Sequence, residues 1–460
     1  MKIKRIFLVS VSIFLLCAMT LNLVSCASET NVTHETNEKI NTDTEKKSND
    51  EAPHSSPSTN LSDDVVPGGV GPFVTSSSQN GLVTDFALRL FKASEDPENS
   101  TLISPLSVLY ALAMTQNGAR GETLRQMEEV LGMPKDEMNR YLCSYVSKLP
   151  QGEKCTLSLA NAIWFNDIAD FTVNDDFLQT NADYYSADIY KSRFSDQTVK
   201  DINAWVNENT DGMIPDILDR VNENSVMYLL NALAFDAEWY DVYCDFQIEK
   251  GTFTTEDGKT EDAEYMNGSE GTYLEDENAV GFMKYYKGKS FQDKSYAFVA
   301  LLPNEGMSVH DYVASLDGEK LSSMLASPEM CPVITKIPKF ESEYKADMSD
   351  ALKSMGIIDA FKLKKADFSG LGSVEVSELS AENAYIYIDQ VIHKTFISVG
   401  ERGTKAGAAT IVEMVAGCTM DAPNPQKPKE IYLDRPFVYM IVDCENKVPL
   451  FIGTMMSLSE

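Results

Sequence analysis

The segment 401–414, ERGTKAGAATIVEM, places the tightest constraint on what this chain can become. Every second residue from Thr404 (Thr404, Ala406, Ala408, Thr410, Val412, Met414) is small or apolar, and the intervening set, Lys405, Gly407, Ala409, Ile411 and Glu413, holds both charges. Period-two alternation is what a strand needs when one face is buried and the other wet. Yet the segment opens on Gly403 and is rich in Ala and Gly, which hold a strand poorly by themselves. A stretch patterned as a strand but too weak to insist on it predicts a mobile loop able to join a sheet later. The same composition would serve a flexible linker, so the rest of the chain has to decide.

The rest of the chain supplies a sheet. The run 226–235, VMYLLNALAF, is apolar but for Asn231, the pattern of a central strand covered on both faces. The Asn231 amide then needs buried partners, because leaving it unsatisfied costs about 1–3 kcal/mol. Further strands are predicted at 157–165 with Asn161 inside, 296–302 stopped by Pro303, 333–340, and 384–399, which leads directly into 401–414. A hairpin is predicted from 435–442 and 448–455. Ser104 followed by Pro105 starts a helix that is apolar on most sides, hence a core helix. Other helices are read at 199–218, with Ile202, Trp205 and Val206 on one face before Gly212 and Pro215, and at 346–355 before Gly356. Sheets and helices mix without strict alternation, so the class is α+β in one domain over 80–460.

Lys2, Lys4 and Arg5 precede an apolar run at 6–18 that is too short and one-sided to span a membrane, so 1–25 reads as a secretory leader. Its end, Leu23-Val24-Ser25-Cys26, resembles the lipobox of bacterial lipoproteins. That resemblance implies cleavage before Cys26, lipid on its thiol, and a place on the extracellular face of the membrane, held there by the lipid alone. Residues 26–79 are Ser-, Thr-, Asn-, Glu- and Lys-rich with almost no recurring apolar residue, which predicts a disordered tether. Cys143, Cys155, Cys244, Cys331, Cys418 and Cys444 are scattered, with no CxxC pair and no zinc spacing. The compartment permits disulfides, but the sequence assigns no pairing. A net charge of −31 argues against nucleic acid as a partner.

Together, ISPLSVLYALAMTQNGARGET, INAWVNENTDGMIPDIL, LLNALAFDAEW, IPKF with ADFSGL, VIHKTFISVGERGTKAGAAT, and DRPFVYMIVD with PLFIGTM resemble the serpin family, in order and separation, from about residue 80 to the C-terminus. The resemblance implies three β-sheets, about nine helices, an exposed reactive-centre loop and a metastable native state. It also implies a mechanism: a target serine protease attacks the loop, forms an acyl-enzyme, and is trapped when the cleaved loop inserts into the large sheet. Serpin loop insertion is itself an established instance of strand addition and stored strain. On this reading Glu401, Gly403, Thr404, Ala406, Ala408 and Thr410 form the hinge; Ser104, Ser107, Asn231 and His393 form the shutter, a buried polar cluster beneath the opening sheet; and Trp239 marks the breach, where the loop first enters. Lys405 departs from the family's usual acidic residue and Gly407 from its usual Ala, both on the outward face. The count from Glu401 puts the scissile bond between Gly417 and Cys418. The loop is longer than usual, so Met414, Val415, Ala416 and Met420 stay open as alternatives. These residues suit elastase-like or subtilisin-like proteases, and the lack of Arg or Lys over 407–426 speaks against trypsin-like ones.

The resemblance implies a monomer with no cofactor, no metal and no catalytic residues. An enzyme would need groups this chain lacks: of four histidines, His34 and His54 lie in the tether, His310 in a loop, and no GxSxG, HExxH or P-loop is present. The remaining alternative is a surface binding lipoprotein that keeps the fold without inhibiting.

Overall fold

The structure, a computed structural model, describes residues 58–63, 65–152, 154–167, 171–223, 225, 227–288, 294–374, 386–404 and 427–459. Among these are nine α-helices and three large sheets, with a fourth of two strands.

The largest sheet is organised on Met227–Glu238. Its strand order is Thr59–Asn60, Asp188–Ser192, Cys155–Asn166, Met227–Glu238, Gly403–Thr404, Gln390–Gly400, Phe340–Asp347, with Gln151–Gly152 beside Cys155–Asn166. The central strand is covered on both faces, as its apolar run predicts. Met227, Leu229, Leu233, Phe235 and Ala237 point into the main core; Tyr228 and Leu230 join Ala162, Trp164, Ile202, Trp205 and Val206 in a second cluster beneath helix Asp196–Asn209. Under the main-core face lies helix Pro105–Gln116, all twelve residues of it buried. Ser104 caps it, accepting from the Ser107 N–H, and Pro105 stands at the first position, where its missing N–H costs nothing. The six-stranded sheet completes that core with Ala279–Tyr285, Tyr296–Pro303 and the hairpin Phe437–Asp443/Val448–Met455.

Besides the strand read from 384, which begins at Gln390, three readings differ from the structure. The predicted strand 333–340 is two strands, Val333–Pro338 in the four-stranded sheet and Phe340–Asp347 in the largest one, and the helix read from 346 begins at Ser349. The alternating Phe340 and Ser342 are buried against exposed Glu341 and Glu343, so burial on one face outweighs the helix propensity of the charged residues. The helix read over 199–218 ends at Asn209, ahead of Gly212 in the left-handed conformation (φ 75°).

The third difference is the tether. From Ser58 onward the described residues belong to the compact unit. Thr59 and Asn60 pair antiparallel with Lys191 and Tyr190 at the edge of the largest sheet. The Ser58 N–H and hydroxyl donate to the Asp201 carboxylate at 3.1 and 2.6 Å, and Ser144 Oγ donates to the Phe73 carbonyl at 2.7 Å. Backbone pairing is indifferent to side-chain polarity, so a segment with no apolar pattern still adds an edge strand. Residues 26–57, with Cys26, and the leader lie outside the described residues.

Candidate functional site

The site is a two-residue wedge at one end of the largest sheet. Gly403 and Thr404 pair antiparallel with Glu238 and Ala237 on one side and with Gly400 and Val399 on the other. Further down, the two flanking strands pair directly and in parallel, from Tyr228 with Gln390 to Ala232 with Lys394. Both stretches share one offset, since Ala232 lies opposite Lys394 as Ala237 lies opposite Val399, so the strands separate without slipping. Between them, 233–236 and 395–398 face each other with no ladder pairing among the described residues.

The wedge is the second arm of a hairpin whose turn is Glu401–Arg402, and each part of it is held. Gly403 is dictated by close approach: a Cβ there would collide with the Ala237 carbonyl. Thr404 is 1% exposed, and its hydroxyl shares a 2.5 Å hydrogen bond with the buried Tyr286 phenol. Trp239, fully buried at the end of the central strand, stacks on Tyr286 with ring centres 4.5 Å apart and planes inclined by 16°, an arrangement worth about 0.5–1.5 kcal/mol beyond area burial. Its indole N–H donates to the Gly400 carbonyl at 2.8 Å and its backbone N–H to that of Arg402 at 2.7 Å; Tyr243 N–H donates to the Glu401 carbonyl at 3.0 Å.

The turn's two charges are paired as well. Glu401 meets Lys339, which also holds Glu264 at 2.9 Å. Desolvation would raise the Glu401 carboxyl, but the Lys339 ammonium outweighs it and holds it below the ordinary carboxylate range. The Arg402 guanidinium lies 3.5 Å from Glu238, a carboxylate that also binds Lys154 at 2.8 Å and Lys287. Lys339, Glu238 and Tyr286 escape sequence reasoning, because strand register decides which residues meet the turn.

Deeper in the sheet, where the parallel ladder is intact, lie the residues expected to form the shutter. His393 is 1% exposed, and its Nε2 accepts the Ser104 backbone N–H at 3.0 Å. The neutral ring therefore carries its proton on Nδ1, which has no partner among the described residues. Burial pushes the imidazole down to about 4. Asn231 lies directly opposite His393 in the ladder and opposite Asn161 on its other side. Ser107 is buried on the first helical turn, with its hydroxyl unpaired among the described residues.

The remaining hinge positions, Ala406, Ala408 and Thr410, and the scissile-bond candidates Met414, Val415, Ala416, Gly417, Cys418 and Met420 lie outside the described residues. No disulfide joins any two of the five described cysteines, Cys143, Cys155, Cys244, Cys331 and Cys444.

Comparison with known proteins agrees with this geometry. The family model described as "Serpin (serine protease inhibitor)" matches residues 82–458. The chain is 30% identical to an uncharacterised serpin-like protein of Thermococcus kodakarensis over 82% of its own length and 84% of the relative's. It is 29% identical to the leukocyte elastase inhibitor of Bos taurus over 81% and 98%. Among solved structures, the native state of the thermophilic serpin tengpin superposes with a TM-score of 0.80 at 43% identity, covering 88% of this chain and all of that one. The latent state of tengpin gives a TM-score of 0.72.

Proposed function

The chain belongs to the serpin family, and on that premise we propose that it inhibits serine proteases as a suicide substrate: the loop is cleaved, the acyl-enzyme is trapped, and the loop inserts into the largest sheet. The observation that carries this reading is the seated wedge between two strands parted in register. Continuing its register places Lys405 against Asp236 and Ser398, Ala406 against Phe235 and Ile397, and Ala408 against Leu233 and Thr395; Thr410 then falls between Asn231 and His393. Partners across a sheet share a face. Phe235, Leu233, Ile397 and Thr404 all belong to the buried side, so the small set Ala406, Ala408, Thr410 enters the core, and Lys405, Gly407 and Ala409 emerge toward helix Asp196–Asn209. Each inserted residue gains two antiparallel neighbours. From Ala409 onward it does so by parting a parallel ladder, which is slightly less stable per residue.

The targets proposed are elastase-like or subtilisin-like enzymes, cleaving at Gly417–Cys418 or at Met414, Val415, Ala416 or Met420. The chain acts as a protease's covalent partner and turns over no substrate of its own. We place it on the outer face of a bacterial membrane, lipidated at Cys26, with the lipobox-like end of the leader as support.

The test is to mix the chain without its leader with elastase, subtilisin, chymotrypsin and trypsin, boil in detergent, separate by size and weigh the released fragment. A boil-resistant band at the summed mass is expected with elastase or subtilisin, and the fragment's N-terminus fixes the bond. A cleaved loop with every protease still active would sink the inhibitor reading and favour a binding lipoprotein.

A further inference from the structure

Within the run GFMKY of strand Ala279–Tyr285 stands a lysine with no water to face: Lys284 is 2% exposed. Its ammonium lies 3.0 Å from a Glu270 carboxylate oxygen and 3.2 Å from the Asp241 carbonyl, and it faces the Tyr243 ring at 4.3 Å and the Trp239 ring at 5.3 Å. Glu270 is nearly buried too, its side chain 11% exposed. Apart from Glu270, every one of these partners lies in 239–243, the segment that leaves the central strand. That same segment donates the three hydrogen bonds to the Gly400, Glu401 and Arg402 carbonyls.

A buried ion pair is a poor way to gain stability, since well-packed apolar residues of similar volume often do as well or better. What a buried ammonium supplies is direction: three donors on one point, with rings drawn onto its remaining face. Here the direction is toward the backbone that seats the loop's hairpin.

We propose that Lys284, fixed by Glu270, is a positioning residue for loop insertion: it holds 239–243 so that the Glu401–Arg402 turn stays seated while the residues after Thr404 enter the sheet. It touches neither the loop nor the protease. The inference rests on the insertion reading above. Its signature is a change in partition, with the protease cutting the loop as before and the insertion that follows running late.

The experiment compares the chain without its leader with K284M, K284R and E270Q. Three quantities are read: the rate of loop cleavage, the rate at which the cleaved chain becomes heat-resistant, and the moles of inhibitor consumed per protease trapped. K284M is expected to be cleaved at the wild-type rate, to gain heat resistance about tenfold more slowly, and to be consumed in excess. K284R, which keeps the charge and the ring contacts, should run close to wild type, and E270Q should fall between. Should K284M not fold, E270Q carries the comparison. Insertion at the wild-type rate in the charge-removing variants would overturn the proposal, whatever their melting temperatures. Where the wild type inserts without trapping any protease, the inhibitory reading fails, and the insertion rates still decide the role of Lys284. A wild type that gains no heat resistance on cleavage overturns both.

Discussion

At the level of single residues, the wedge is held by buried polar groups that pair with one another. Thr404→Val removes one half of the Tyr286–Thr404 bond and leaves a phenol buried without its partner. The uncleaved chain should lose about 1–3 kcal/mol in urea unfolding, and adding Tyr286→Phe should return part of the loss. His393 gives a pH dependence whose sign follows from its burial. The native imidazole stays neutral down to about pH 4, against an ordinary value of 6.5, so between the two the unfolded chain binds the extra proton. Stability from this group is complete above pH 6.5 and is lost as pH falls toward 4, by up to about 3 kcal/mol. Protonation also ends the acceptance of the Ser104 N–H. His310 works in the opposite direction, its pKa raised by the Glu95 carboxylate, so the difference between wild type and His393→Gln in urea midpoints from pH 7.5 to 5 isolates the shutter. Ser104, His393 and Trp239 were legible in the sequence because each sits in a distinctive local run. Lys284 left a fainter signal, a charge inside an apolar strand. Glu238 and Tyr286 left none, because what they do depends on a neighbour from another strand.

Among elements, the central strand and the core helix were readable because hydrophobic pattern alone decides them. Elements that depend on backbone pairing were not: Thr59–Asn60 joins the sheet with polar side chains, and Phe340–Asp347 is a strand against the propensity of its charges. The wedge is the intermediate case, its alternation visible but its two seated residues knowable only from register. On the insertion reading, continuing that register makes Ala408 the most discriminating position in the loop, because once inserted it would fall opposite Leu233 on the core face. Ala408→Arg should be cleaved normally, form no boil-resistant complex and gain no heat resistance, since a guanidinium would have to enter an apolar core. At the opposite edge of the sheet, Asp201→Ala removes both hydrogen bonds to Ser58. Faster amide exchange at Leu61 and Ile189, with the central strand unchanged, is the expected result.

For the whole molecule, the proposed mechanism puts the stored free energy in pairings not yet made. Cleavage should raise the melting temperature by on the order of 10 °C or more, a gain of about 5 kcal/mol or more, since 1 kcal/mol corresponds to only roughly 2–4 °C in domains half this size and to less in larger ones; calorimetry before and after limited proteolysis measures it. Anchoring is tested separately: Cys26→Ala should move the protein from the detergent phase to the aqueous phase while leaving protease trapping intact. There remains the matter of time. On the proposed mechanism, trapping is a race against hydrolysis of the acyl-enzyme, which for enzymes turning over at about 1–10³ per second allows a millisecond or more. Hairpins zip in roughly 1–10 μs once begun, and here the turn between Gly400 and Gly403 is closed before any protease arrives. Nucleation was completed when the chain folded. On that mechanism the step that sets the pace is prising apart the five pairs from Tyr228–Gln390 to Ala232–Lys394, and it is there that the race would be won or lost.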